Sequence, residues 1–297
     1  MKIPAACQIV LLTMVFGSCS LVVDVDVPIQ EPRLTVNSLF TPDSVWSVAL
    51  NNSRNILDKE TFFMPRTVSE VVILDESENI ISTLHQNGFG VYRSAEKPEE
   101  GKTYYIRISS PNQNSVTARG AIPKPVSILS IKTDTIITEK DFGPHQVVVT
   151  EIRLKDPANE TNYYRFNLYT KLVHEYIRYD TQETVRDTTT FILGLGEDSP
   201  ELLEGTLPQS IISDTKFNGK EVTIRLMPFL PYYGYTVVEA AIVIHSLSEE
   251  YFKYMTTLEL QHNTDGDPFA QPVKVFNNIN NGFGIFAGYS SSYYSIK

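Results

Sequence analysis

The chain has 297 residues, with 25 Lys and Arg against 35 Asp and Glu, a formal net charge of −10. That balance argues against nucleic-acid binding and against lying on anionic lipid, since both are driven by basic patches. Both cysteines, Cys7 and Cys19, fall in the first 19 residues, which excludes a disulfide-stapled or thiolate-metal fold and leaves burial of a core to hold the molecule together.

The first element is a signal. Met1-Lys2 precedes an apolar core from Ile9 to Phe16, and Gly17-Ser18 supplies small residues before Cys19. This lipobox pattern, with Phe16 where Leu is more usual, predicts that residues 1–18 are a removable lipoprotein signal peptide and that Cys19 becomes the acylated first residue of the mature chain. The apolar stretch is too short to cross roughly 30 Å of hydrocarbon, so the expected product is anchored to a bilayer and does not span it. Removal of 1–18 takes away one of the 25 basic residues, Lys2, and none of the 35 acidic ones, leaving 279 residues with a charge of −11.

After a tether over 19–32, period-two alternation predicts short strands: Leu34, Val36 and Ser38; Val45, Ser47 and Ala49; Val71, Ile73 and Asp75; Tyr104, Ile106 and Ile108. Turns at Asn87-Gly88-Phe89-Gly90 and Lys97-Pro98-Glu99-Glu100-Gly101 separate them, a spacing that fits an immunoglobulin-like β-sandwich over 33–122. Trp46, the single tryptophan, reads as a core residue. Ile122-Pro123-Lys124-Pro125 removes ladder donors and marks a domain boundary.

A larger β-rich domain is expected over 126–297. Its clearest strand runs from Asn162 to Tyr179, with Tyr164, Phe166, Leu168, Leu172 and Tyr176 on a buried face and Arg165, Asn167, Lys171 and Glu175 on a wet one. Thr184 to Leu193 returns antiparallel after Asp180-Thr181-Gln182-Glu183, making a long hairpin that serves as a contact surface. Ser199 to Gly205 has the order of caps that suits a very short helix, and Asn218-Gly219 marks a tight turn into Glu221 to Met227. One packed α-helix is predicted near 247–261, with Ser246 and Glu249 at capping-box spacing and Tyr251, Met255 and Leu258 on one face. Strands over Val273 to Phe276 and Gly284 to Ser290 complete the chain.

The motif search points away from catalysis. The sequence contains no G-x-S-x-G elbow, no H-E-x-x-H and no phosphate-cradling P-loop. The S-x-x-K spacings at Ser94 to Lys97 and Ser213 to Lys216 lack their partner motifs, and His85, His145, His174, His245 and His262 are never paired at metal-ligand spacing. Asp265-Gly266-Asp267 could offer oxygen to calcium, but the later ligands of a calcium loop do not follow, and a solvated turn is the simpler reading. No cofactor is expected. Dispersed carboxylates that meet only in space would keep an esterase or glycosidase reading open.

Several segments carry a family resemblance: Leu34-Thr35-Val36-Asn37-Ser38, Gly90-Val91-Tyr92, Gly101-Lys102-Thr103-Tyr104, Phe217-Asn218-Gly219-Lys220, Ser248-Glu249-Glu250-Tyr251, Pro268-Phe269-Ala270-Gln271-Pro272-Val273, and Asn278-Ile279-Asn280-Asn281-Gly282-Phe283-Gly284-Ile285-Phe286. Together they resemble the domain-of-unknown-function 4249 family of Bacteroidota lipoproteins over nearly the whole mature chain. The resemblance implies an outer-membrane lipoprotein, often encoded beside TonB-dependent transporters, with no activity assigned. Surface-exported lipoproteins of this phylum often carry acidic residues soon after the acylated cysteine. Here Ser20-Leu21-Val22-Val23 precedes Asp24 and Asp26, which leaves open whether the protein faces the cell surface or the periplasm. Asp43-Ser44-Val45, Asp134-Thr135-Ile136 and Asp187-Thr188-Thr189 match the short O-glycosylation signal of these bacteria.

The resulting expectation is a non-enzymatic accessory or ligand-capture partner of a TonB-dependent transporter, with Tyr163, Tyr169 and Tyr179 on the hairpin as partner-binding residues and a nutrient or glycan as ligand. The alternative is a free-standing surface lipoprotein that binds glycan or protein through exposed aromatics.

Overall fold

The computed structural model of the chain describes residues 31–54, 68–111, 114–140, 143–193, 211–226, 235–264 and 269–296. The chain is mainly β with one α-helix among the described residues. The first eight strands are β1 (Leu34–Phe40), β2 (Ser47–Asn52), β3 (Glu70–Leu74), β4 (Ile80–Thr83), β5 (His85–Gln86), β6 (Val91–Arg93), β7 (Thr103–Ser109) and β8 (Val116–Ala121). They form two facing layers, β1-β2-β6-β5 and β4-β3-β7-β8. That strand order is the one immunoglobulin-like sandwiches use.

Alternation dictates the first core. Leu34, Val36, Ser38 and Phe40 all point inward along β1. On β2 the buried phase is Val48 and Leu50, continuing that of Trp46 just before the strand, while Val45, Ser47 and Ala49 lie on the other face. The bulkier apolar set takes the interior because it removes more surface from water. Trp46 is 1% exposed and its ring packs 4.9 Å from those of both Phe40 and Tyr104. The Tyr104 hydroxyl accepts a 2.7 Å bond from the Glu99 N–H, pinning the turn that leads into β7 in the manner of a tyrosine corner.

The chain leaves this core at Ile122 and enters a second at Val126. Its remaining elements are β9 (Ser127–Lys140), β10 (Gly143–Lys155), β11 (Tyr163–Ile177), β12 (Thr184–Leu193), β13 (Ile211–Ser213), β14 (Glu221–Leu226), β15 (Tyr235–Leu247), α1 (Glu249–Thr264) and β16 (Phe283–Ser295). Strands β14-β10-β9 form one layer. The other is a nine-stranded sheet in the order β12-β11-β15-β16-β1-β2-β6-β5, with β13 beside β11. One sheet therefore runs through both sandwiches.

Strand β16 makes that continuity. It lies parallel to β1, Thr35 opposite Phe283 through Phe40 opposite Gly288, and antiparallel to β15, Leu247 opposite Tyr289 through Ala241 opposite Ser295. Phe286 and Ile279 join the first core. The sandwich expected from residues 33–122 is thus closed by a strand from the end of the chain, a pairing that local sequence pattern cannot announce.

The asparagine-rich run before β16 is its clasp. Asn278 Nδ2 donates to the Arg119 and Phe286 carbonyls at 2.9 and 2.8 Å, while Asn278 Oδ1 accepts from the Phe286 N–H at 3.0 Å. Asn280 and Thr117 exchange backbone bonds of 2.8 and 3.3 Å. Backbones come so close that a Cβ on Gly284, whose φ is +111°, would sit 2.0 Å from the Val36 carbonyl oxygen.

Helix α1 covers one face of the large sheet, burying Tyr251 against Leu247, Ile285 and Ala287. Its cap is Ser248, whose Oγ accepts from the Tyr251 N–H at 3.3 Å. Ser246, expected to be the cap, is buried in β15 and accepts the Val126 N–H at 3.1 Å. The expected strand over Val273 to Phe276 does not form. Those residues run along the helix, with Phe276 N–H donating to Thr257 Oγ1 at 2.8 Å and Gln261 Nε2 to the Val273 carbonyl at 3.5 Å. The short helix expected over 199–205 lies outside the described residues.

Asn278→Ala strands three backbone groups and is expected to lower stability by about 2–3 kcal/mol. Gly284→Ala, forced into a left-handed conformation against a carbonyl, is expected to cost at least about 2 kcal/mol. Urea unfolding followed by Trp46 fluorescence reads both, and unchanged midpoints would show that β16 does not close the first core.

Candidate functional site

The hairpin of β11 and β12 is the candidate contact surface. Ten pairs, from Leu168 opposite Leu193 to Ile177 opposite Thr184, hold it in an unbroken register. The turn is closed by the Arg178 N–H donating to the Glu183 carbonyl and the Gln182 N–H to the Arg178 carbonyl, both at 2.9 Å. Gln182 takes a left-handed conformation there, φ +58°. Among the described residues β15 accompanies β11 only as far as His174, and the distal part of β11 pairs with β12.

Side chains along β11 divide the hairpin into a buried root and an exposed tip. Tyr164, Phe166 and Leu168 pack in the second core and Thr170 and Leu172 are buried in the same even-numbered phase. The odd-numbered face is not simply wet: Tyr163, stacked on Phe252 of α1, and Arg165 are half-buried, and Asn167 and Val173 are buried. Tyr176, expected on the buried face, is exposed, and its hydroxyl donates to Asp187 Oδ2 at 3.3 Å. The ion pairs Arg186 with Glu175 at 3.6 Å and Arg178 with Asp180 at 4.0 Å are solvent-exposed and contribute little stability.

The three tyrosines singled out from the sequence occupy three different settings. Tyr163 stacks on Phe252 of α1 with ring centroids 4.2 Å apart. Tyr169 sits mid-sheet, its ring 6.5 Å from that of Tyr293 and its cross-strand neighbour Ile192. Tyr179, in the turn, is 95% exposed. Tyr163 and Ile177, the ends of β11, are roughly 45 Å apart along the strand, so Tyr163 and Tyr179 cannot form one patch. The structure instead groups Ile177, 65% exposed, with Tyr179 at the tip, and Ile192, 67% exposed, with Tyr169 and Tyr293 halfway down. Ile177 and Ile192 were legible only as apolar residues on the outward phase of their strands; Tyr293 gave no signal, because its pairing with Val243 of β15 is long-range.

A Ser–His contact lies on the same sheet. Arg165, His245 and Ser291 stand in one cross-strand row, and His245 Nδ1 is 2.9 Å from Ser291 Oγ. Burial, and then the nearby Arg165 charge, push the His245 imidazole down to about 4, with Asp43 opposing weakly. Such a ring is neutral at physiological pH and a weak proton acceptor for a serine. Among the described residues no carboxylate is hydrogen-bonded to it. Its ring packs edge-on to Tyr289 at 5.4 Å, so the contact works as cross-strand packing with a satisfied hydroxyl.

No group of three or more His, Cys, Asp or Glu among the described residues could hold a metal ion, and none of the described helices is long and apolar enough to cross a membrane. Cys19, Asp265 and Asp267 lie outside the described residues. Of the expected glycosylation positions, Ser44 is exposed in the turn between β1 and β2, Thr188 is exposed on β12, and Thr135 falls in β9.

Comparison with known proteins gives a family match over most of the chain. The family model described as "Domain of unknown function (DUF4249)" matches residues 22–295. No curated protein matches the chain. A solved structure described as "Biofilm associated protein - BSP domain" is 8% identical with a TM-score of 0.18; the match covers 92% of this chain and 62% of that one. At that TM-score the likeness carries no argument.

Keeping His245 neutral makes folding sensitive to acid. Its folded value lies below the ordinary 6.5, so the contribution is complete above pH 6.5 and is lost as pH falls toward 4, to an upper limit of about 3 kcal/mol. His245→Gln should flatten that part of the stability profile, read as urea midpoints from pH 7 to pH 4. An unchanged acid limb would mean that His245 is not held neutral.

Proposed function

The chain belongs to the DUF4249 family, and on that premise we propose that it is a non-enzymatic outer-membrane lipoprotein, tethered through Cys19, that serves as an accessory or ligand-capture partner of a TonB-dependent transporter. The observation that carries the contact surface is the hairpin tip, where Ile177 and Tyr179 remain 65% and 95% exposed. An apolar side chain held outward on a hydrogen-bonded ribbon loses little entropy on docking, and aromatic anchors of this kind dominate the energetics of protein interfaces. The Ile192, Tyr169 and Tyr293 patch offers a second contact along the same ribbon. A specific interface needs about 1,000 Å² or more, which calls for more than the tip alone.

The tip can be tested without disturbing the core. The paired replacement Ile177→Ser and Tyr179→Ser is expected to reduce recovery of a TonB-dependent transporter with the lipoprotein from native outer membranes in mild detergent by tenfold or more, with the unfolding midpoint unchanged. Tyr163 is left intact because its loss would unseat Phe252. Undiminished recovery of the transporter would refute the tip as the contact. Recovery of the lipoprotein alone, even for the parent protein, would refute the partnership and favour a free-standing binder of glycan or protein. Cys19→Ala is expected to move the folded protein to the soluble fraction, and retention in the membrane would refute the lipid anchor.

A further inference from the structure

The second sandwich has a polar corner, built where the chain twice crosses between its two layers. One crossing is the connection from β10 to β11, which carries Asp156, Glu160 and Asn162; the other is the turn from β13 to β14, which carries Asp214, Asn218 and Gly219. Asp156 and Asp214 are 2% and 0% exposed. Both oxygens of Asp156 have donors: the Tyr164 hydroxyl at 2.5 Å on Oδ1 and the Gly219 N–H at 2.8 Å on Oδ2. Asp214 Oδ2 accepts from the Asn162 N–H at 2.8 Å and from the side-chain amides of Asn162 and Asn218 at 3.2 Å each. Asn218 and Asn162 also reach the Glu160 carbonyl. Of the four carboxylate oxygens of this pair, Asp214 Oδ1 is the one buried without a hydrogen-bond partner.

We propose that Asp156 and Asp214 share one proton, carried on Asp214 Oδ1 and donated to the Asp156 carboxylate, and that this bond latches the two layers of the sandwich together at that corner. The assignment of the proton follows from the donor inventory. Asp156 has one donor on each oxygen and keeps lone pairs for a third, whereas Asp214 Oδ1 lacks a donor and becomes one if protonated, which removes the orphaned atom and one of two neighbouring buried charges at once. Tyr164 stays the donor in its own bond, since burial and the Asp156 carboxylate both hold its hydroxyl protonated.

The charged and titratable surroundings favour that proton. From β11, Tyr163 and Tyr164 both lie within electrostatic reach of Asp214, and from the β10–β11 connection so do Asp156 and, through Tyr164, Glu160. Glu249, Glu250 and Lys253 of α1 face Tyr163, and Lys216 is exposed on the turn of Asp214 itself. Burial raises the Asp214 carboxyl above its ordinary 3.8, the Asn162 bonds oppose this, and Asp156 adds to it. A raised folded value means that the latch is fully made below pH 3.8 and is released as pH rises through the folded value.

The amides of Asn162 and Gly219 report the corner directly, since each donates to one of the two carboxylates. Their hydrogen exchange, corrected for intrinsic pH dependence, is expected to lose protection by up to tenfold per pH unit as the proton is released, the limit for a one-proton linkage. Asp214→Asn supplies a permanent N–H in place of the proton and should abolish that pH dependence while keeping the corner closed. If Asp214→Asn fails to fold, infrared difference spectra of the parent protein must still show the carbonyl stretch of a protonated buried carboxylic acid that titrates with the exchange. Protection independent of pH, with no protonated buried carboxylic acid in the infrared spectra, would overturn the proposal. So would stabilisation by added calcium that a chelator reverses and Asp214→Asn removes, since the pair would then hold a metal ion in place of the proton.

Discussion

Everything else in this fold depends on β16 finding room between two strands that run opposite ways relative to it. Its first half pairs in parallel with β1 and its second half antiparallel with β15, so one continuous backbone serves as a wall of both sandwiches. Close packing of main chain against main chain leaves no volume for side chains at the crossing. A Cβ on Gly284 would strike the Val36 carbonyl, and on Gly120 it would lie 2.7 Å from the Phe286 carbonyl. The same proximity leaves the Arg119 and Phe286 backbone groups beyond reach of a regular ladder on one side, and the Asn278 amide, a donor and an acceptor on one short stem, replaces the missing peptide.

Polar residues inside the molecule follow this pattern repeatedly. Asn278 binds backbone, Ser246 receives the Val126 N–H where the chain enters its second core, and Asp156 receives the Gly219 N–H where it crosses between layers. Each sits at a place where a strand begins, ends or changes sheet, which is where backbone groups fall out of register with a neighbour and need a side chain in place of a ladder. Tyr104 does the same at the turn before β7. The buried polarity at these four places is thus accounted for by the fold, and the contact surface proposed above lies outside it, on the ribbon of β11 and β12.

What could be read from the sequence was what short-range physics controls. Leu34, Val36 and Ser38 gave the inward phase of β1 because alternation is a property of a single strand. Trp46 reads as core from size alone, and the helix from the spacing of Tyr251 and Met255. On β2 alternation alone does not name the inward phase, since small and large apolar residues alternate and packing volume decides between them in favour of Val48 and Leu50. The cap moved from Ser246 to Ser248 because β15 continues through Leu247 to pair with β11 and β16, and a sheet of long-range contacts overrides a local box. On β11 the outward face looked uniformly wet, since nothing in its own residues shows that α1, some 85 residues further on, lies across its root. The candidate site suffered most from the same blindness: tyrosines close in sequence were spread by an extended backbone over the full length of a ribbon, while Tyr293, far away in sequence, came to lie beside Tyr169.

The late position of β16 has a consequence in time. A ribosome releases β1 early, yet its parallel partner lies about 250 residues downstream. Until the last strand emerges, the first sandwich has half a lid, and the outer edge of β1 is an open template for any extended segment that meets it. Completion is therefore all or nothing: a chain halted before β16 loses the shared wall of two cores. Arrival of β16 is the moment at which both halves become a protein together, and a holdase that shields β1 in the interval would be guarding a vacancy that β16 fills.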